Sequence, residues 1–259
     1  MNMLICYAKV KKRMKIALLS DIHANLPALE AAFADMEKQK PDAIYCLGDL
    51  VGYNTWPNEV VKEIHDRKIA TLAGNHDLKV LNLKSVDDEE LKQSGKKYAY
   101  HIVGKQERDY LLTLPSHIRL EFQLNDDNLN ILLVHGSPLS VDEYVLEDSE
   151  ESYVLQLMKE ANADILCVGH SHKPYHRIVQ AATGSFKHII NTGSIGKPKD
   201  NNPLGCYVVL ELSEASSNIL NDSVKVDFVR FEYDVEKAAS AIEQSPLPNE
   251  FADRLRKAY

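Results

Sequence analysis

Asp21, Asp49, Asn75 and five of the ten histidines stand where short apolar runs stop. Residues 16–19 lead into Ser20-Asp21-Ile22-His23, 43–47 into Gly48-Asp49, and 69–73 into Gly74-Asn75-His76-Asp77. Residues 131–134 lead into His135-Gly136, and 165–168 into Gly169-His170-Ser171-His172. Carboxylate and amide oxygens mixed with imidazole nitrogens suit divalent transition ions, and such a set is richer than one structural zinc takes. No cysteine stands in these five clusters, which argues against a closed structural cage. Each cluster alone has an ordinary reading, since glycine and aspartate are common at turns and a lone histidine is usually structural. Their joint occurrence does not.

Apolar runs of this length read as strands buried on both faces. In the first half they alternate with helices. A strand over 15–19 precedes a helix over 27–38, with Asn25 as cap and Pro27 in the first turn. A strand over 43–47, a helix over 57–66 opened by Pro57, and a strand over 69–73 follow. This order predicts a parallel sheet with right-handed crossovers, and it puts the first three clusters at one carboxyl edge. Residues 78–114 are polar and predict a helical insert, with Asp87-Asp88-Glu89-Glu90 preceding Lys92, Lys96 and Lys97 in the order a helix dipole favours. Strands are predicted at 118–124, 129–134, 165–168, 176–180, 186–190, 206–212 and 224–233. Helices are predicted at 150–162, 235–243 and 249–257. The simplest arrangement is one domain over 14–259, with residues 1–13 as a disordered extension.

The chain of 259 residues carries a formal charge of −8, 44% hydrophobic and 26% charged residues. That balance is ordinary for a globular protein and argues against binding a nucleic-acid polymer, which requires a basic face. It leaves room for a small anionic substrate, because bound divalent ions reverse the sign of an acidic site. No apolar stretch approaches the roughly 20 residues that span a bilayer. Residues 1–13 place their charges after the apolar patch, the reverse of a secretory signal. Cys6, Cys46, Cys167 and Cys206 show no paired spacing, so a reducing, cytoplasmic setting is expected.

The order D-x-H, G-D, G-N-H-D, H-G, G-H-S-H resembles the calcineurin-like metallophosphoesterase superfamily over residues 14–233. The stretches Asp21-Ile22-His23-Ala24-Asn25-Leu26-Pro27-Ala28-Leu29-Glu30, Gly48-Asp49-Leu50-Val51-Gly52-Tyr53 and Asn191-Thr192-Gly193-Ser194-Ile195-Gly196-Lys197-Pro198 are similar to its small bacterial single-domain branch. The resemblance implies an α/β fold, a four-layer α/β/β/α sandwich of two mixed sheets with outer helices. It implies two divalent transition-metal ions, manganese or iron first, with zinc or nickel compatible. Asp21, His23 and His172 would hold one ion, Asn75, His135 and His170 the other, and Asp49 would bridge them. The implied reaction is hydrolysis of a phosphoester by a metal-bridging hydroxide, with His76 as general acid and Asp49 in the catalytic set.

Two departures and several open choices accompany the resemblance. Many members carry a second aspartate three residues after the bridging one, orienting the acid histidine; Gly52 stands there instead, and Asp77 is the candidate replacement. Gly193 and Ser194, with Asn75 and His76, are candidate substrate-binding residues, although a plain connecting turn explains the first two equally well. Lys173, Arg177, Lys197 and Lys199 are near these motifs, and a solvated role is expected for any one of them. Tyr98, Tyr100 and His101 in the insert, and Tyr53 and Trp56 after the bridging aspartate, could stack on a base, but helix packing is the commoner use of such residues. Tyr53-Asn54-Thr55-Trp56 replaces a glycine-proline turn common in this branch. A small phosphorylated substrate is expected, with phosphodiesters or nucleotide-type phosphoanhydrides ahead of simple monoesters. The alternatives are a phosphomonoesterase on small metabolites and a non-catalytic interaction protein on the same fold.

Overall fold

The computed structural model describes residues 3–9, 13–81, 83–84, 86–124 and 128–259. The chain opens with β1 (Met3–Lys9) and β2 (Arg13–Leu19), then α1 (Leu26–Gln39), β3 (Ala43–Cys46), α2 (Pro57–Asp66) and β4 (Ala70–Thr71). Among the described residues the insert holds four short α-helices: α3 (Asn75–Leu81), α4 (Asp88–Lys92), α5 (Tyr98–His101) and α6 (Lys105–Leu111). The second half runs β5 (His117–Gln123), β6 (Asn128–Val134), α7 (Glu151–Glu160), β7 (Ile165–Val168), β8 (Tyr175–Gln180) and β9 (Phe186–Asn191). It closes with β10 (Gly205–Ser213), β11 (Lys225–Phe231), α8 (Val235–Glu243) and α9 (Glu250–Lys257).

Among the described residues the strands form a six-stranded sheet, β1-β5-β6-β7-β9-β8, and a five-stranded sheet, β11-β10-β2-β3-β4. Alternation along β2 shows how they stack. Ile16 and Leu18 face the other sheet, packing with Ile118, Leu120, Ile131, Leu133 and Cys167. Ala17 and Leu19 face outward onto Leu29, Phe33 and Met36 of α1 and Val60 and Ile64 of α2. The six-stranded sheet does the same, turning Leu132, Leu166 and Ile189 onto Val154, Leu157 and Met158 of α7. Helix, sheet, sheet, helix is the four-layer sandwich expected. Because both faces of the central strands are covered, their sequences are continuously apolar.

The predicted helices fall within one or two residues of their observed bounds, and Asn25 caps α1 by accepting from the Ala28 N–H at 3.2 Å. Two expectations need correction. The strand expected at 69–73 is confined to Ala70–Thr71, because Ala73 leaves the ladder and gives its N–H to the Pro115 carbonyl at 2.8 Å. Where a disordered extension is expected before Met14, Met3–Lys9 instead pairs in parallel with β5, from Met3 opposite His117 to Lys9 opposite Gln123. An open edge of a sheet accepts any extended segment that satisfies its ladder, and that pairing needs little sequence signature. Residues 1, 2 and 10–12 of that segment lie outside the described residues.

Candidate metal centre

Strands β2, β3 and β4 run parallel in one sheet, and β6 and β7 run parallel in the other. Their carboxyl ends meet, and the loops that leave them are stitched together through the backbone. Asp21 N–H donates to Gly48 O at 3.1 Å, His23 N–H to Asp49 O at 2.9 Å, Gly169 N–H to His135 O at 2.8 Å and Gly196 N–H to Asp21 O at 3.1 Å. The turns are tight enough that Asp21 (φ 55°), His23 (51°), Asp49 (55°), His170 (64°) and His172 (59°) all adopt left-handed backbone. Non-glycine residues held there cost on the order of 1–3 kcal/mol each and persist where the surroundings over-determine them, commonly at functional sites. Gly74 permits a close approach to the centre: a Cβ on it would stand 2.1 Å from Asp49 Oδ1.

All seven expected ligands and His76 are buried and converge. Potential ligand atoms of Asp21, His23 and His172 lie within 4.8 Å of one another, as do those of Asp49, His135 and His170. Asn75 joins the second group through Oδ1, 3.2 Å from His135 Nε2. A single oxygen of Asp49, Oδ2, faces both groups, 3.6 Å from His23 Nε2 and 3.3 Å from His135 Nε2. Its other oxygen accepts from the His76 N–H at 2.8 Å.

The donor chemistry fits cations. His23 Nδ1 is 3.0 Å from Val51 O, His135 Nδ1 is 2.8 Å from Leu47 O, and His172 Nδ1 bonds Lys197 O. Carbonyls only accept, so Nδ1 carries a proton in all three rings and Nε2 is the nitrogen turned inward, where it can offer a lone pair to a cation, the usual arrangement behind a metal-ligating histidine. His170 is reversed, with Nε2 3.2 Å from Asp142 O, which leaves Nδ1 as its acceptor. Lone pairs then meet lone pairs: His23 Nε2 is 3.2 Å from His172 Nε2. Asp21 Oδ1, fully buried, has no hydrogen-bond donor among the described residues, although His172 Nε2 stands 3.1 Å from it. Converging acceptors of this kind are satisfied by protons or by metal ions.

Electrostatics agree. Burial would raise both carboxyls, but His172 and His23 hold Asp21, and His135, His76 and His23 hold Asp49, well below the ordinary carboxylate range. Burial opposes a charge on His135, yet Asp49 beside it pushes the imidazole up to about 10. In metal-free protein His135 therefore keeps a proton across neutrality that an entering cation must displace. Manganese affinity is expected to rise with pH through neutrality, with proton release seen by calorimetry in buffers of different ionisation enthalpy. Equal affinity on either side of neutral, without proton release, would contradict this.

Several neighbours differ from expectation. Asp77 does not orient His76: its carboxylate accepts the N–H groups of Asp49 (2.8 Å), Gly74 (2.9 Å), Leu50 (2.9 Å) and Val51 (3.3 Å). The group found at His76 Nδ1 is the Tyr100 hydroxyl, at 2.5 Å. Gly193 N–H donates to Asn191 Oδ1 at 3.0 Å, and Ser194 Oγ donates to Asp21 O at 2.8 Å while accepting from Lys197 N–H. Ser194 thus braces the Asp21 loop, and both the Gly193 N–H and the Ser194 hydroxyl are already engaged within the protein. Arg177 is spent on Glu147 O and Ser149 O, and Lys173 is exposed.

Lys197 departs furthest from a solvated role. It is 1% exposed, its Nζ has no hydrogen-bond partner among the described residues, and it lies 4.4 Å above the Tyr53 ring. Burial, with Lys199 and Arg254 nearby, pushes its amine down to about 7. Tyr53, Trp56 and Tyr98 pack on the cluster formed by α8 and α9, which favours their structural reading. A different aromatic stands at the rim: Tyr144, 52% exposed, stacks on His170 at 4.1 Å between centroids. A cleft of about 380 Å³ lined by His117, His135, Ser137 and Leu139 adjoins the centre.

Comparison with known proteins agrees with this geometry. The chain is 30% identical over 256 residues to the uncharacterized protein MJ0912 of Methanocaldococcus jannaschii, covering 93% of this chain and 96% of that one. A crystal structure of a metallophosphoesterase from Sphaerobacter thermophilus superposes with a TM-score of 0.74 at 26% identity, over 95% of this chain and 100% of that one. The hypothetical protein PH1004 of Pyrococcus horikoshii OT3 shares the fold, with a TM-score of 0.76 at 23% identity over 95% and 99% of the two chains. Residues 14–215 match the model of the calcineurin-like phosphoesterase superfamily domain, and the chain belongs to that superfamily.

Proposed function

We propose that this protein is a two-metal phosphoesterase that cleaves phosphodiesters or nucleotide-type phosphoanhydrides. The observation that carries the reading is Asp49 Oδ2, set between His23 of one donor group and His135 of the other. Two divalent ions, when bound, supply an activated water and neutralise charge on the phosphoryl oxygens. Asp21, His23 and His172 would hold one, Asn75, His135 and His170 the other, and Asp49 would serve both. Manganese or iron suits the mixed oxygen and nitrogen donors.

His76 gives a proton to the departing oxygen. Burial keeps its imidazole neutral, and a ring nitrogen lies within 4.8 Å of donor atoms of His23 and Asp49. With Nδ1 engaged by Tyr100, Nε2 is the nitrogen left to face substrate. Half-exposed Tyr144, stacked on the ligand His170, supports a substrate with a planar group beside its phosphate. Lys199 is half-buried, and burial pushes its amine down while the charges of Asp21 and Asp49 partly offset this; its place near both supports an anionic substrate.

The test is turnover by manganese-loaded protein of monoesters, cyclic and linear diesters, and dinucleoside polyphosphates. The reading expects kcat/KM for diesters or polyphosphates to exceed that for monoesters about tenfold or more, a difference of roughly 1.4 kcal/mol in transition-state binding. Faster monoester cleavage would replace it with the phosphatase reading. No turnover of any class with two ions bound would remove the enzyme reading.

A further inference from the structure

We propose that Tyr100, delivered by the helical insert, is the positioning residue for His76, in the place where Gly52 leaves no carboxylate. The proposal rests on the reading of His76 as the proton donor. The Tyr100 hydroxyl is 2.5 Å from His76 Nδ1, and the two rings lie 5.7 Å apart at 30°. Gly52 and Tyr100 go together sterically. A Cβ at position 52 would stand 2.6 Å from His76 Nδ1 and 3.3 Å from Tyr100 Cε1, so any side chain there would displace the ring or the phenol.

The insert holds Tyr100 firmly. Arg108 on α6 donates to the carbonyls of Tyr100 and Val80 at 2.8 Å and of Val103 at 2.9 Å. Ala99, next in the chain, is fully buried against α8 and α9. On the other side of His76, Tyr53 packs at 4.7 Å and His23 at 4.9 Å between centroids. The imidazole is thus clamped in its plane, and one hydroxyl decides what its outer nitrogen does.

A phenol differs from a carboxylate in a way that matters for the acid. A carboxylate only accepts, so it favours a proton on Nδ1. A phenol also donates, and donation to Nδ1 of the neutral ring fixes the remaining proton on Nε2. When the P–O bond breaks and its electrons leave with the departing oxygen, that oxygen takes the Nε2 proton. Nδ1 takes the Tyr100 hydroxyl proton in the same step, so the ring stays neutral, and the phenolate regains a proton from water afterwards. The insert is therefore part of the reaction site, through orientation rather than through contact with substrate.

The test compares Tyr100→Phe, His76→Ala and the double variant on alkyl and p-nitrophenyl esters of whichever class the protein turns over. Alkoxides need protonation and p-nitrophenolate does not, so the ratio of the two losses reads the acid and not the fold. Tyr100→Phe is expected to slow alkyl esters about 10-fold, as loss of an orienting partner commonly does. The loss on p-nitrophenyl esters is expected to be several-fold smaller. His76→Ala should show the same split, larger, and adding Tyr100→Phe to it should cost nothing more. Nitrogen-15 spectra of zinc-loaded protein give a readout independent of turnover: His76 should be the Nε2–H tautomer and should gain Nδ1–H character in Tyr100→Phe. If His76→Ala shows no split, the acid reading itself falls. If His76→Ala shows it but Tyr100→Phe slows both esters equally, or leaves the tautomer unchanged, the positioning role is overturned.

Discussion

Replacing Asp49 by alanine is expected to reduce turnover by about 10³-fold or more, because the change removes the oxygen that both donor groups share. The loss should be of metal as well as of rate. Asp49 Oδ2 is the acceptor facing His23 at 3.6 Å and His135 at 3.3 Å. Without that charge, two cations held by histidines, neutral Asn75 and the single carboxylate of Asp21 would repel across the gap with no anion between them. The substitution also frees the His76 N–H, which Asp49 Oδ1 accepts at 2.8 Å, so His76, the proposed proton donor, loses a backbone anchor. Metal analysis of the purified variant beside its kinetics checks this. Full metal content with wild-type turnover would contradict the bridging role.

The largest effect on folding is expected at Asp77. Its carboxylate is fully buried and gathers four N–H groups, three from the loop over 49–51 and one from Gly74. Burial and the charge on Asp49 push its carboxyl up to about 7, while the N–H donors pull it back toward ionisation. Asp77→Ala leaves these donors buried with no acceptor. The expected loss is roughly 3–5 kcal/mol, read as a shift in the urea midpoint of metal-free protein. A change below about 1 kcal/mol would show that water or backbone movement satisfies those donors instead. Weaker metal binding should accompany the loss, since the same loop carries Asp49.

How much of this was legible in the chain follows from how local each signal is. Apolar runs ending in Asp, Asn and His are adjacent residues, and strand ends in parallel order share an edge, so Asp21, Asp49, Asn75, His135 and His170 could be placed together before any coordinates. The four-layer sandwich was what the family resemblance implied, and continuous apolar strands such as Ile165–Val168, buried on both faces, agree with it. The partners of buried polar groups were not local. Asp77 serves a loop some 26–28 positions earlier in the chain, and Ser194 bonds a carbonyl 173 positions away. Gly52 showed that a partner for His76 was missing, and an aromatic in the insert was the available clue. Only the fold, however, sets the Tyr100 hydroxyl on Nδ1. Lys197 looked like one more surface lysine because a long aliphatic stem gives no sequence sign of burial. The strand Met3–Lys9 was missed because its pairing depends on an open sheet edge far along the chain.

The central claim is that two ions share Asp49, and the most direct measurement is metal stoichiometry by titration of metal-free protein with manganese. Wild-type protein should bind two ions per chain, and Asp49→Ala no more than one. One ion in the wild type, or two in Asp49→Ala with unchanged affinity, would contradict a shared centre.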